Sequence, residues 1–137
     1  MNERFPTVAI WITAATWAGF GLWLGWNPGE LLPAFGVDLS TPATRTEIRA
    51  FYGGVELMIA ATMGLLWWRG DVFASLLVGG LPLLGAACGR LIGLMLDGYT
   101  PMHLGFAALE LIGSAVCLAG CRTVAMVPPI TSNELDG

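Results

Sequence analysis

There is not one lysine in this chain; its six basic residues are all arginine. No polybasic strip exists to grip nucleic acid or an anionic lipid surface, and a net charge of −4 by itself names no partner. Charge of either sign is scarce, at 12% of residues against roughly 25% in soluble domains. A single histidine argues against a di-iron or b-haem centre with paired histidine ligands inside one chain. HExxH, histidine-rich boxes, GxGxxG and P-loop sequences are all missing, which removes the common zinc-protease, dinucleotide and phosphate-cradling chemistries. The three cysteines, Cys88, Cys117 and Cys121, form no CxxC pair and fall in or beside apolar runs. They read as small packing residues of a helix bundle. Neither a metal nor a cofactor is expected.

What is present is hydrophobic: 55% of the residues, a mean hydropathy of +0.71, and 19 glycines. At 137 residues the chain holds one domain, and this composition is that of an integral membrane protein. Four apolar segments stand out, at about 7–26, 44–68, 72–97 and 102–120. The first is too long for the apolar core of a signal peptide and lacks a small-x-small cleavage site, so it reads as a retained helix. RGD at 69–71 and DGYTP at 97–101 are short polar turns that make the last three helices antiparallel neighbours. A longer link, NPGELLPAFGVDLSTPAT, is interrupted by Pro and Gly and is expected to lie over one end of the bundle. Ser40 or Thr41 before Pro42 gives a helix-start signal. The fold class that follows is all-α: an antiparallel four-helix membrane bundle spanning 1–124, with an interfacial loop between its first two helices and a polar tail at 125–137. Trp23, Trp26, Trp67 and Trp68 fit aromatic belts at the two membrane faces. Arg4, Arg69 and Arg122 on one side against Arg45 and Arg49 on the other favour both termini in the cytoplasm.

The polar residues inside these spans are patterned. Arg49, Tyr52, Gly53 and Glu56 fall at i, i+3, i+4 and i+7, one face of an α-helix. Arg90 and Asp97 are seven apart on the third helix, and His103 and Glu110 are seven apart on the fourth. Antiparallel packing places Arg49, Asp97 and His103 at one level. Glu56, Arg90 and Glu110 then lie about 10.5 Å deeper, with Tyr52 between the two layers. Intramembrane charges cost roughly 2.5–3.5 kcal/mol each at a helix centre, so inward-facing, mutually paired groups are expected. Gly85, Gly89 and Gly93 offer a GxxxGxxxG stripe for close helix contact beside Arg90, and Pro82 is expected to free a carbonyl into the interior. The deeper layer has two carboxylates for one arginine, an imbalance that favours a proton on one of them. Arg45, Glu47 and Asp71 read as solvated helix ends.

RAFYGGVEL (49–57), GRLIGLMLDG (89–98) and LELIGS (109–114) resemble the signature segments of a bacterial family of small four-helix membrane proteins, catalogued as a domain of unknown function and distantly similar to DoxX-type proteins. The resemblance runs from about Pro33 to Gly120 and implies four helices in a bacterial cytoplasmic membrane. It supplies no substrate, so roles rest on the residues themselves.

Three functions fit. In the first, the bundle binds, or transforms by acid–base chemistry, a lipophilic small molecule. Glu56, Glu110 and Arg90 are then the catalytic candidates, and Arg49, Tyr52, Asp97 and His103 the ligand-binding ones. In the second, the chain is a non-catalytic accessory subunit of a larger membrane partner and the charges are structural glue. In the third, it is a proton-coupled carrier working as a homo-oligomer, since no inverted repeat is visible within one chain. All three have the lipid bilayer as partner, and none involves nucleic acid.

Overall fold

The computed structural model describes residues 4–31, 33, 36 and 40–125. Helix α1 spans Arg4–Trp26, and a single turn, α2, covers Pro28–Leu31. Helix α3 runs Pro42–Trp68, α4 Val72–Leu96 and α5 Pro101–Ala125. The four long helices have 23 to 27 residues and window hydropathies of 1.4 to 1.9, long and apolar enough to cross a membrane. At 1.5 Å per residue they reach about 35–40 Å, somewhat more than a hydrocarbon core of about 30 Å. Several begin or end a few residues outside the apolar segments, because a helix continues into the interfacial layer after its hydropathy has fallen. The expected polar tail, from 126 onward, and residues 32, 34, 35 and 37–39 of the long link lie outside the described residues.

Local chemistry sets the helix ends. Thr41 caps α3: Thr44 N–H donates to its Oγ1 at 3.1 Å, and Pro42 takes the first helical position, where its missing N–H costs nothing. The turns close on Gly70 (φ +81) and Gly98 (φ +112), in the backbone region where a side chain would be strained. Asp71 does more than face solvent, since its Oδ1 accepts from Ala74 N–H at 3.0 Å and caps α4.

The largest buried cluster occupies one half of the bundle, while Leu24, Ala87 and Ala107 are buried in the other. Ala9, Ile10, Ala14, Met63, Leu76, Cys117 and Cys121 form one buried cluster at the end that carries the 69–71 turn. Two polar groups there bond across helices. Ser75 Oγ donates to Met63 O at 2.8 Å, and Thr13 Oγ1 lies 3.3 Å from Cys117 Sγ. Pro82 sits inside α4, where it cannot donate to the Val78 carbonyl, and the Trp17 indole N–H donates to the next carbonyl, Gly79 O, at 3.2 Å. Trp26 and Trp68 end their helices largely exposed, as interfacial tryptophans do. Trp67 does not join them: it packs edge-on against Trp11 with centroids 5.1 Å apart and borders the core.

Two packing expectations are corrected. Gly85 and Gly89 are exposed, with open space where a Cβ would be, and Gly93 meets only the Asp97 carboxylate. The stripe makes no helix contact because Arg90 and Ala87 turn toward the bundle. The three glycines lie about 60–140° around α4 from Arg90, at 3.6 residues per turn. The close approach occurs instead between α1 and α3. A Cβ on Gly53 would stand 2.9 Å from Gly25 Cα, and one on Gly21 would stand 3.1 Å from Gly53 O. Cys88 likewise is exposed rather than packed inside.

Candidate functional site

Away from the core the four helices divide into pairs. The early part of α3 follows α1, while α4 and α5 pair with each other along their length. Residues Arg49–Val55 of α3 form a π-helix, the wide-turned i→i+5 conformation that is rare and recurs at functional sites. Its Gly53 lies against Gly25 of α1, and the Arg49 Nε–H donates to Gly25 O at 3.1 Å, near the end of α1. This segment overturns one inference drawn from spacing. Arg49 and Glu56 share a face only if the intervening turns are α-helical. With the wider turn, Arg49 swings onto α1 while Glu56 stays with the deeper cluster.

The Arg90 Nε–H is shared between both oxygens of Glu110, at 2.9 Å and 3.0 Å, joining α4 to α5. The Arg90 guanidinium also lies over the Phe106 ring, 5.3 Å from its centroid, and Phe106 stands edge-on to Phe20 of α1 at 6.4 Å. Arg90 is thus held by a carboxylate on one side and an aromatic shelf on the other. Glu56 reaches the same region from α3 and is within electrostatic range of both Arg90 and Glu110. Its Oε2 is enclosed and has no hydrogen-bond partner. Glu56, Arg90 and Glu110 therefore converge.

This is not a fully buried network. Among the described residues no charged side chain is completely buried; Arg90 and Glu110 retain 23% and 12% of their side-chain exposure. The cluster lies half-buried at the junction of the two helix pairs.

The Arg49–Asp97 pair expected in the outer layer does not form. Arg49 is engaged with α1 and not with Asp97. Asp97 is exposed at the end of α4, where its backbone N–H donates to Gly93 O at 2.7 Å. His103 Nδ1 lies 2.6 Å from Thr100 Oγ1, a contact within the first turn of α5. Tyr52 is about one-third exposed (37%) on the π-helical segment. These four residues sit toward the same end of the bundle. Among the described residues, no three His, Cys, Asp or Glu side chains gather as a metal site requires.

Reading charges alone missed Phe106 and Ser114. Both share a face of α5 with Glu110, at i−4 and i+4, so helical spacing could have found them. Ser114 is 1% exposed and its Oγ has no hydrogen-bond partner. An open surface depression of about 430 Å³ also lies along the exposed face of α3 from Ala50 to Thr62, with Val78 of α4 at its margin. Its lining is almost wholly apolar.

The family model described as Domain of unknown function (DUF4345) matches residues 5–120, and the chain belongs to that family. No curated protein and no solved structure matches the chain.

Proposed function

We propose that this DUF4345 member works in a bacterial cytoplasmic membrane, with both termini in the cytoplasm, by holding a lipophilic small molecule between its helix pairs. The polar group of that molecule rests at Glu56, Arg90 and Glu110. The observation that carries this reading is the Glu56 Oε2 atom, enclosed and unpartnered beside an arginine already engaged by another carboxylate. Orphaned polar atoms of this kind cost stability and are retained where something else supplies the partner. Any acid–base step on the bound molecule falls to Glu56, the carboxyl group not tied down by the arginine. Glu110 and Arg90 position and balance it. Tyr52, Asp97, His103 and Arg49 stand toward the end opposite the 69–71 turn, where they shape entry.

The test is to purify the protein and its Glu56→Leu variant from bacterial membranes in mild detergent and to analyse the apolar extract by mass spectrometry. A stoichiometric molecule with the parent protein, reduced at least about tenfold with a folded Glu56→Leu variant, is the expected result. Equal extracts from both proteins would refute the reading.

A second reading has one observation behind it. Arg90–Glu110 joins neighbouring helices, so the charges can serve as register-setting glue in an accessory subunit of a larger membrane complex. Under that reading Glu56→Leu leaves the extract unchanged, and a larger protein co-purifies in fixed ratio with both forms.

A further inference from the structure

Provided the binding reading above holds, the hydrogen bonds at Glu56, Arg90 and Glu110 say which polar group the molecule brings. Two carboxyl groups face one guanidinium, so one of them keeps its proton away from bulk water. The Arg90 Nε–H is shared between both oxygens of Glu110, at 2.9 Å and 3.0 Å, a charge-assisted arrangement that marks Glu110 as the ionised member. The proton therefore belongs to Glu56. A protonated carboxyl group carries an O–H donor, and the enclosed Glu56 Oε2 has no hydrogen-bond partner. What Glu56 lacks is an acceptor.

Ser114 repeats that requirement on α5. It lies on the same helix face as Glu110, one turn deeper, and is 1% exposed, with a hydroxyl that has no partner. Among the described residues, both enclosed side-chain atoms without partners thus belong to groups that can donate.

Charge narrows the class further. With Glu56 protonated, Arg90 and Glu110 balance one another. An incoming anion would meet a cation already engaged by Glu110, and an incoming cation would have to part that pair. Either would also have to leave water for a site within the membrane spans. An alcohol or an amide can accept from Glu56, but each brings a donor of its own that then needs a partner. A ketone or ester carbonyl accepts and brings no donor. Aromatic rings beside the cluster suit an apolar body, since Arg90 lies over Phe106 and Phe106 stands edge-on to Phe20.

We infer that the molecule is an uncharged, lipophilic carbonyl compound, a ketone or an ester, whose carbonyl oxygen accepts a hydrogen bond from protonated Glu56.

Probes built on one undecyl chain separate the head groups: undecyl methyl ketone, the secondary alcohol it yields on reduction, tridecane, laurate and dodecylamine. Each is titrated against the full-length protein in detergent micelles, with bound adducts counted by native mass spectrometry. Ketone labelled with carbon-13 at its carbonyl is also followed by infrared difference spectroscopy, which reads that bond directly. Glu56→Leu removes the donor, whereas Glu56→Gln keeps a donor that cannot ionise. The expected result is saturable binding of the ketone, about tenfold tighter than that of any other probe, with its carbonyl stretch lowered on binding. Glu56→Leu should reduce ketone affinity to that of tridecane and abolish the shift. Glu56→Gln should keep the shift and hold affinity within about threefold. Alcohol, laurate or amine binding as tight as the ketone overturns the carbonyl assignment. So does a carbonyl stretch that moves equally in Glu56→Leu, or a Glu56→Gln variant as impaired as Glu56→Leu. In those cases, any probe that loses affinity in Glu56→Leu leaves the binding reading standing with a different head group. Affinities of all the probes unchanged in Glu56→Leu overturn the binding reading as well.

Discussion

Replacing Glu56 by leucine should make the protein more stable, and the reason lies in what its carboxyl group lacks. Oε2 is enclosed without a hydrogen-bond partner, and Arg90, the nearby cation, is already engaged by Glu110. An unsatisfied buried polar group costs about 1–3 kcal/mol. Glu56 is only half-buried, so the lower end applies, about 1 kcal/mol. Leucine has nearly the same bulk and keeps the packing against the surrounding apolar side chains. It also leaves Arg90 and Glu110 as a matched pair, with no second carboxyl group competing for the one guanidinium. Lost attraction between Glu56 and Arg90 opposes the gain but does not strand the arginine. The assay is denaturant or thermal unfolding in mixed micelles, followed by the fluorescence of the six tryptophans. Stabilisation of about 1 kcal/mol, together with loss of bound lipid, marks a residue kept for function at the expense of stability. Destabilisation by more than about 1 kcal/mol would refute the argument, because it would mean that Glu56 has a native partner whose loss outweighs the orphaned atom.

Glu110→Leu should act in the opposite direction. It leaves Arg90 half-buried over Phe106 without its carboxylate, and breaking a buried pair from one side costs 3–5 kcal/mol, so about 2 kcal/mol is expected for this partly exposed one; the same unfolding assay reads it. Gly53→Ala should destabilise by about 1–3 kcal/mol, because its methyl group would lie 2.9 Å from backbone Cα of Gly25. Gly85→Ala, in open space on α4, should be neutral or stabilising by about 0.5–1 kcal/mol, and a reversal of that order would relocate the helix contact to the α4 stripe. Alkaline phosphatase and fluorescent-protein fusions at the C-terminus test orientation: fluorescence without phosphatase activity is expected, and the converse places the C-terminus outside.

The helices were readable from hydropathy because each span had to be apolar over the thickness of a bilayer, and their turns because Gly70 and Gly98 take backbone angles that favour glycine. The convergence of Glu56, Arg90 and Glu110 followed from the seven-residue spacings taken with the antiparallel order. Arg49 was misplaced for a local reason. Spacing of i, i+3, i+4 and i+7 presupposes 3.6 residues per turn, and Arg49–Val55 does not keep it. What the spacing does not reveal is the constraint behind it, the contact of Gly53 with Gly25, which involves two helices at once. The glycine stripe on α4 failed in the same way. A GxxxG pattern says that a close approach is allowed on that face, whereas Arg90 determines which face turns inward.

The two halves of the bundle are built for different ends. Lipid tails are as apolar as the core side chains, so hydrophobicity does not hold these helices together; packing and interhelical hydrogen bonds do. Those are concentrated at the 69–71 end, where Ser75 binds the Met63 carbonyl, Trp17 binds Gly79 O, and Ile10, Met63 and Leu76 are fully enclosed. The other end spends its polar residues differently. Arg49 fastens α3 to α1, Glu110 fastens α5 to α4, and neither bond crosses from one helix pair to the other. Glu56 projects from the first pair toward the second with one oxygen unmatched. A bundle selected only for stability would close that gap with leucine. Under the proposed binding function, that unmatched oxygen at the junction of the two pairs is the atom a bound molecule completes.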